Sequence, residues 1–74
     1  MKQVFYSNIT LAEMIDFEAW SGAVYTHETI LKADKIGELA DLINDIFPDG
    51  AEDVQINDFL WFDADFIFEH LGIA

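Results

Sequence analysis

Cysteine and arginine are absent from this 74-residue chain, and lysine occurs only three times. Without cysteine there is no disulfide and no thiolate metal ligand, which argues against a small secreted scaffold and fits a reducing compartment. No apolar run approaches the roughly 18 residues of a membrane span, and the N-terminal residues lack the apolar segment of a signal peptide. We therefore expect a cytoplasmic protein with no membrane partner.

Basic residues are scarce beside the acidic ones, which number fifteen and leave a net charge of −12. Residues 1–33 carry two lysines and four acids, for −2, whereas residues 34–74 carry one lysine and eleven acids, for −10. Direct binding of nucleic acid is excluded, because it relies on lysine and arginine displacing phosphate counterions. A basic protein surface is the expected partner, because a strong field attracts opposite charge.

Length and composition indicate a single small acidic helical domain over residues 1–74. The chain is 53% hydrophobic and 15% aromatic, too apolar for a disordered acidic tail. At this size only about 60% of the unfolded surface is buried, so the core is modest. The loops expected between the elements are short, which favours an all-α compact bundle of three to four short helices. Residues 2–6 fit either a strand or an extended arm.

The first half contains one strong helix start. Thr10 is expected to be the N-cap and Glu13 completes a capping box, with Ile9 and Met14 in the positions of a hydrophobic staple. This helix is expected to run from 11 to about 21, where serine and glycine end it. Residues 23–32 combine strand-favouring residues with a helical face, and a short helix is the favoured interpretation.

In the second half, Asp34 is expected to cap a helix that reaches Phe47 and stops at Pro48. Its apolar stripe contains Ile36, Leu39, Ala40, Ile43, Ile46 and Phe47. Gly37 inside this helix suggests a close helix crossing. The residues FPDG that follow predict a type I turn.

Beyond the turn, Glu52 or Asp53 is expected to cap a helix through residue 62, and Asp63 a second helix that ends at Gly72. A single bent helix is the alternative. The inward face is predicted to consist of Ile56, Leu60, Ile67 and Leu71.

Catalytic, metal and cofactor sites are not expected. A short helical chain has little volume for a cleft that holds two carboxylates around a substrate. Asp45, Asp49 and Gly50 match three positions of an EF-hand loop, but Phe47 and Ile56 occupy positions that need oxygen ligands. The two histidines, at 27 and 70, lack further ligands nearby in sequence, so structural roles are expected instead.

An acidic stripe marks one helix face, because Asp34, Glu38, Asp41 and Asp45 are spaced by four, three and four residues. Such carboxylates follow one another at intervals comparable to the phosphates of a nucleic acid strand. An ordinary solvated face is the alternative, although such faces usually mix charges of both signs.

Aromatic residues crowd the segment NDFLWFDADFIFEHLG, residues 57–72. Most are expected to pack in the core. Because residues 59–62 point in every direction on a helix, at least one of Trp61, Phe62 and Phe68 is expected at the surface or against a partner. Exposed aromatic rings surrounded by charge are typical of interfaces.

The segments ITLAEMIDFEAWSGA, IFPDG and INDFLWFDADFIFEHLGI carry a resemblance that spans about residues 9–73. In them the chain resembles small, acidic, mostly uncharacterised proteins of phages and mobile elements from gut-type bacteria. The resemblance implies no activity and no functional residues. It implies, by context, an interaction with a host protein.

The sequence therefore predicts an interaction protein rather than an enzyme. The leading hypothesis is an inhibitor that covers a basic, normally nucleic-acid-facing surface of a host protein by presenting a DNA-mimicking face. The alternative is a structural or regulatory module that homodimerises through exposed apolar area. The residues predicted to bind the partner are Glu38, Asp41, Asp45, Asp58, Trp61, Asp63, Asp65 and Glu69.

Overall fold

The computed structural model describes residues 4–73, which form five helices and a two-stranded antiparallel sheet around one core. The elements in chain order are β1 (Phe5–Tyr6), α1 (Leu11–Asp16), α2 (Ala23–Lys32), α3 (Ile36–Ile46), β2 (Ala51–Glu52), α4 (Asp53–Phe62) and α5 (Ala64–Leu71). The helical class is as predicted. The predicted count of three to four helices is wrong, because residues 23–32 and the segment after Asp63 both form separate helices.

Helix α1 begins as predicted and ends earlier than predicted. The Thr10 hydroxyl accepts a hydrogen bond from the Glu13 N–H at 3.2 Å, and the Glu13 carboxylate accepts one from the Thr10 N–H at 3.0 Å. At Phe17 the backbone turns to an extended conformation, with ψ of 125°, and the ring enters the core. Gly22 therefore starts α2 as its N-cap and does not end α1.

Asp34 does not cap α3. It has a φ of +59° and lies one residue beyond the C-cap of α2. The Asp34 N–H bonds to Leu31 O, and the Lys35 N–H bonds to Ile30 O, a pair of bonds that closes a helix C-terminus. The carboxylate of Asp34 thus belongs to the end of α2, and the acidic stripe on α3 contains three residues instead of four.

Residues 2–6 fitted either a strand or an extended arm, and Phe5 and Tyr6 at the end of this segment form strand β1. They pair with Glu52 and Ala51. Residues 2 and 3 lie outside the described part of the chain. The predicted turn after α3 is confirmed by a 2.9 Å hydrogen bond from the Gly50 N–H to Phe47 O. Gly50 has a φ of +94°, and a Cβ there would lie 2.5 Å from the Phe5 ring.

Tyr6 joins this small sheet to the core, with its ring centroid 5.9 Å from that of Phe17. Burial raises the pKa of Tyr6 above its ordinary value, and the nearby carboxylates of Asp53, Glu13 and Glu18 raise it further. The neutral phenol is therefore the form that the folded chain favours.

Two asparagine side chains hold loop backbone against helices. Asn44 on α3 accepts from the Ile9 N–H at 2.9 Å and donates to Ile9 O at 3.0 Å. Asn57 on α4 makes the same pair of bonds to Trp20, at 3.0 and 3.3 Å. The two amides therefore satisfy loop backbone on either side of α1, at Ile9 before the helix and at Trp20 after it.

Helices α4 and α5 form two separate elements, and their predicted inward face is confirmed. Ile56, Leu60, Ile67 and Leu71 are all buried. Glu52 is the N-cap of α4, and Gly72 ends α5 with a left-handed φ of +72°. Asp63 separates the two helices, with a φ of −110° and a ψ of 26° that depart from helical values.

Candidate functional site

The eight side chains predicted to bind a partner are all exposed. Three lie on α3, two on α4, one between α4 and α5, and two on α5. Within residues 4–73 the single ion pair joins Lys35 to Glu38, with 3.4 Å between nitrogen and oxygen. Among the described residues, no other carboxylate of this set lies within ion-pair distance of a basic group.

An open groove of about 590 Å³ lies between the end of α3, α4 and the start of α5. Its lining residues, called the apolar groove below, are Ile46, Phe47, Gln55, Asp58, Phe59, Phe62, Asp63 and Phe66. Five of the eight are aromatic or aliphatic. The two charged members are both carboxylates, so the groove combines an apolar interior with negative charge at its edge.

The rings of the groove are arranged around Phe59, which is itself buried. Phe47 meets Phe59 edge-on with centroids 6.1 Å apart, and Phe66 meets it with centroids 6.4 Å apart. Three side chains remain largely in solvent: Phe62 is 70% exposed, Phe66 50% and Ile46 42%. Exposed apolar area of this kind, bordered by polar groups, marks interaction sites.

Phe62 and Phe66 meet the groove on either side of the junction between α4 and α5. The N–H of Asp63 bonds to Phe59 O at 3.1 Å at the end of α4, and Asp63 O accepts from the Ile67 N–H at the start of α5. The spacing of four residues between Phe62 and Phe66 places both on the same side of the chain. A single bent helix, the other possibility in the sequence, is replaced by two helices that residue 63 separates.

The structure brings only part of the predicted site together. Asp58 and Asp63 line the apolar groove, and Asp45 directly precedes the lining residue Ile46. Glu69 lies in a neighbouring depression with Phe66 and His70. The other predicted carboxylates, Glu38, Asp41 and Asp65, line neither depression.

Trp61 faces away from the groove and packs on α2. A Cβ added to Gly22 would lie 2.1 Å from the indole Nε1, so the ring occupies the space that this glycine leaves. The other face of the indole stacks on Phe62, with centroids 5.0 Å apart and an interplanar angle of 8°. Trp61 therefore supports a groove residue from behind and remains 42% exposed.

Of the eight groove residues, the sequence predicted Asp58 and Asp63 as partner-binding and named Phe62 as one candidate for an exposed ring. It missed Ile46, Phe47, Gln55, Phe59 and Phe66. Ile46 and Phe47 followed the apolar stripe of α3 and were expected to face inward. Ile46 instead lies in the last position of the helix, beyond the part of α3 that the core covers. The amphipathic pattern alone contains no signal that distinguishes a core position from a groove position at a helix end.

The two histidines lie in different surroundings. His27 is buried, with Nε2 2.8 Å from Met14 O, which is a structural contact. His70 is exposed beside Phe66. Across residues 4–73, no three histidine, aspartate or glutamate side chains are grouped in a way that could hold a metal ion.

In the described region, none of the helices has both the length and the apolar character needed to cross a bilayer. No protein-family model, curated protein or solved structure matches this chain.

Proposed function

We propose that this protein is an interaction module that binds a positively charged surface of another protein. One observation carries the proposal: the apolar groove leaves Phe62 and Phe66 largely in solvent, and its only charged lining residues are Asp58 and Asp63. Burying these rings requires a partner, and the carboxylates select a cationic one.

Charge and apolar contact have different roles in this proposal. The second half of the chain carries eleven of the fifteen acidic residues and one lysine, so its field extends well beyond a single side chain. Long-range attraction accelerates encounter and weakens with salt, whereas buried rings slow dissociation. Binding is therefore expected to fall steeply between about 50 and 500 mM salt, because the screening length shortens over that range.

Nucleic-acid-binding proteins present the kind of surface that fits this charge. On α3, Glu38, Asp41 and Asp45 are separated by three and four residues, about 4.5 and 6 Å along the helix axis. Such spacing supports mimicry of a phosphate backbone, although Glu38 is paired with Lys35. If the partner uses this surface for nucleic acid, DNA or RNA will compete for it.

The experiment compares two variants that lose the same charge at different places. The acidic-face variant carries Asp45→Asn, Asp58→Asn and Asp63→Asn, which remove the two charged lining residues of the groove and the carboxylate beside it. The matched control removes three exposed carboxylates from the first half of the chain, with Asp16→Asn, Glu18→Gln and Glu28→Gln. Both are used with the wild type to retain proteins from a bacterial lysate, and each retained protein is purified and its dissociation constant measured against salt.

Partners that depend on the acidic face but not on the control carboxylates, and that salt and DNA displace, are the expected result. Equal retention by all three proteins, or binding that salt does not change, would contradict the proposal.

A homodimer is the alternative supported by exposed rings elsewhere, notably Tyr25 at 70% and Phe5 at 61% exposure. Light scattering at low micromolar concentration distinguishes the two, since a stable monomer argues against self-association.

A further inference from the structure

We infer that the apolar groove binds a cationic amphipathic α-helix of the partner. This inference rests on the proposed function and specifies the binding mode. It draws on three features of the groove: the backbone that lines it, the side chains left in solvent, and the charge at its edge.

The groove is lined mainly by the side chains of helical residues. Most of its lining residues belong to α3, α4 and α5, where N–H and C=O groups are bonded within the helices. An extended peptide binds by adding hydrogen bonds to an open sheet edge, and the groove has no such edge. A helical ligand satisfies its own backbone and needs only side-chain contacts. The lining therefore favours a helix over an extended segment.

The exposed side chains fit the apolar stripe of a helix. Ile46 and Phe47 approach from the end of α3, and Phe62 and Phe66 approach from the two sides of the break at Asp63. Between them Phe59 forms a buried floor. Apolar residues at spacings of three and four on a ligand helix present a stripe of this kind, and aromatic rings supply much of the contact energy at interfaces.

Charge at the edge selects among the possible occupants. A second copy of this chain would place its own Asp58 and Asp63 opposite the same pair, because a two-fold contact uses the same patch twice. Each copy carries a net charge of −12, so the approach is repulsive. Nucleic acid and anionic lipid are repelled for the same reason. Lysine or arginine on the flanks of a ligand helix would instead pair with the two carboxylates.

The test uses a synthetic probe peptide of about 18 residues, long enough to form a helix. It has leucine at helix positions i, i+3, i+4 and i+7 and lysine elsewhere. One control peptide has the same composition in an order without an apolar face. Another keeps the leucines and replaces lysine with glutamate. Binding is measured by anisotropy of the labelled peptide, and helix formation by circular dichroism.

Three protein variants locate the binding. Phe62→Ala and Phe66→Ala remove exposed groove rings, and Tyr25→Ala is a matched control because it removes an exposed ring from a helix outside the groove. We expect the amphipathic peptide to gain helix on binding and to bind at least about tenfold more tightly than the reordered peptide. Each groove substitution is expected to weaken binding of the amphipathic peptide about tenfold or more, which is typical when a central interface aromatic is truncated. The Tyr25→Ala control is expected to have little effect.

Equal affinity for the two lysine peptides, no binding of the amphipathic peptide, or an equal loss in the Tyr25→Ala variant would overturn the inference. A dimer that Phe62→Ala converts to a monomer would assign the groove to a second copy and also overturn it. In each case the proposed function is judged separately, because salt-sensitive partner capture that depends on Asp45, Asp58 and Asp63 does not require a helical ligand.

Discussion

Replacing Asn57 with aspartate is expected to make the stability of this protein strongly dependent on pH. The Asn57 side chain is fully buried, and its amide both donates to and accepts from the backbone of Trp20. In the Asn57→Asp variant, one carboxylate oxygen still accepts from the Trp20 N–H. The other faces Trp20 O, which lay 3.3 Å from the amide nitrogen and now lacks a donor.

The sign of the effect follows from the protonation states. A protonated carboxyl group can donate to Trp20 O, and burial disfavours the charged form, so the pKa of the new group is raised in the folded state. The native state then binds more protons than the unfolded state above the unfolded pKa of about 3.9. The cost is therefore small below that pH and grows as pH rises toward the folded pKa.

The magnitude follows from about 1.4 kcal/mol per pH unit. If burial raises the pKa by about three units, within the range for buried groups, the added cost is about 1.5 kcal/mol at pH 5 and about 4 kcal/mol at pH 7. A chain of this length has a stability of roughly 4 to 11 kcal/mol, so the variant loses a large part of it at neutral pH.

Urea unfolding followed by circular dichroism between pH 5 and 7.5 measures this difference against the wild type. Asn8→Asp is the matched control, because it adds the same charge at an exposed residue whose φ of +54° aspartate tolerates. A destabilisation that stays constant with pH would refute the reasoning, and so would an equal slope in the control, which would attribute the effect to net charge.

Three further substitutions test other parts of the fold. Gly37→Ala is expected to stabilise the protein by roughly 0.5 to 1 kcal/mol, because alanine favours the helix and the nearest side-chain atom to a new Cβ, on Leu11, is 3.9 Å away. A lower urea midpoint would show that the new methyl group clashes with its surroundings. Gly22→Ala is expected to displace Trp61 and to lower the free energy of unfolding by roughly 1 to 3 kcal/mol. The expected readouts are a shifted tryptophan emission and a lower urea midpoint. Unchanged emission and stability would contradict the packing of Trp61 on Gly22. Because the pKa of Tyr6 is raised on folding, the stability that the neutral Tyr6 contributes is fully present below pH 10. It is lost as pH rises above that value. A Tyr6→Phe variant is expected to lose less stability between pH 9 and 11, and equal losses would argue against a buried phenol.

Several local features followed from sequence because short-range chemistry determines them. The capping box of Thr10 and Glu13, the turn that ends with a hydrogen bond from Gly50, and the left-handed Gly72 each depend on residues within one or two turns. The inward face of the last two helices was likewise readable from apolar spacing. The close helix crossing expected at Gly37 is not found, since an added Cβ there would make only an ordinary van der Waals contact.

Contacts between distant residues decided the features that the sequence left open. The early end of α1 accompanies the entry of the Phe17 ring into the core. The Asn57 side chain also hydrogen-bonds to the backbone of Trp20, 37 positions away in the sequence. Aspartate suits both the cap of a helix and the left-handed position that ends one. The way α2 ends gave Asp34 the second of these roles.

The amino-acid sequence by itself determined the helical class, most helix ends and the excess of negative charge on the second half. Only the tertiary structure decided that Ile46 and Phe47, at the end of α3, share a groove with Phe62 and Phe66. The physical reason is that apolar spacing reports which residues avoid water. It does not report whether another part of the same chain is available to cover them, and within residues 4–73 nothing covers Phe62 and Phe66 fully.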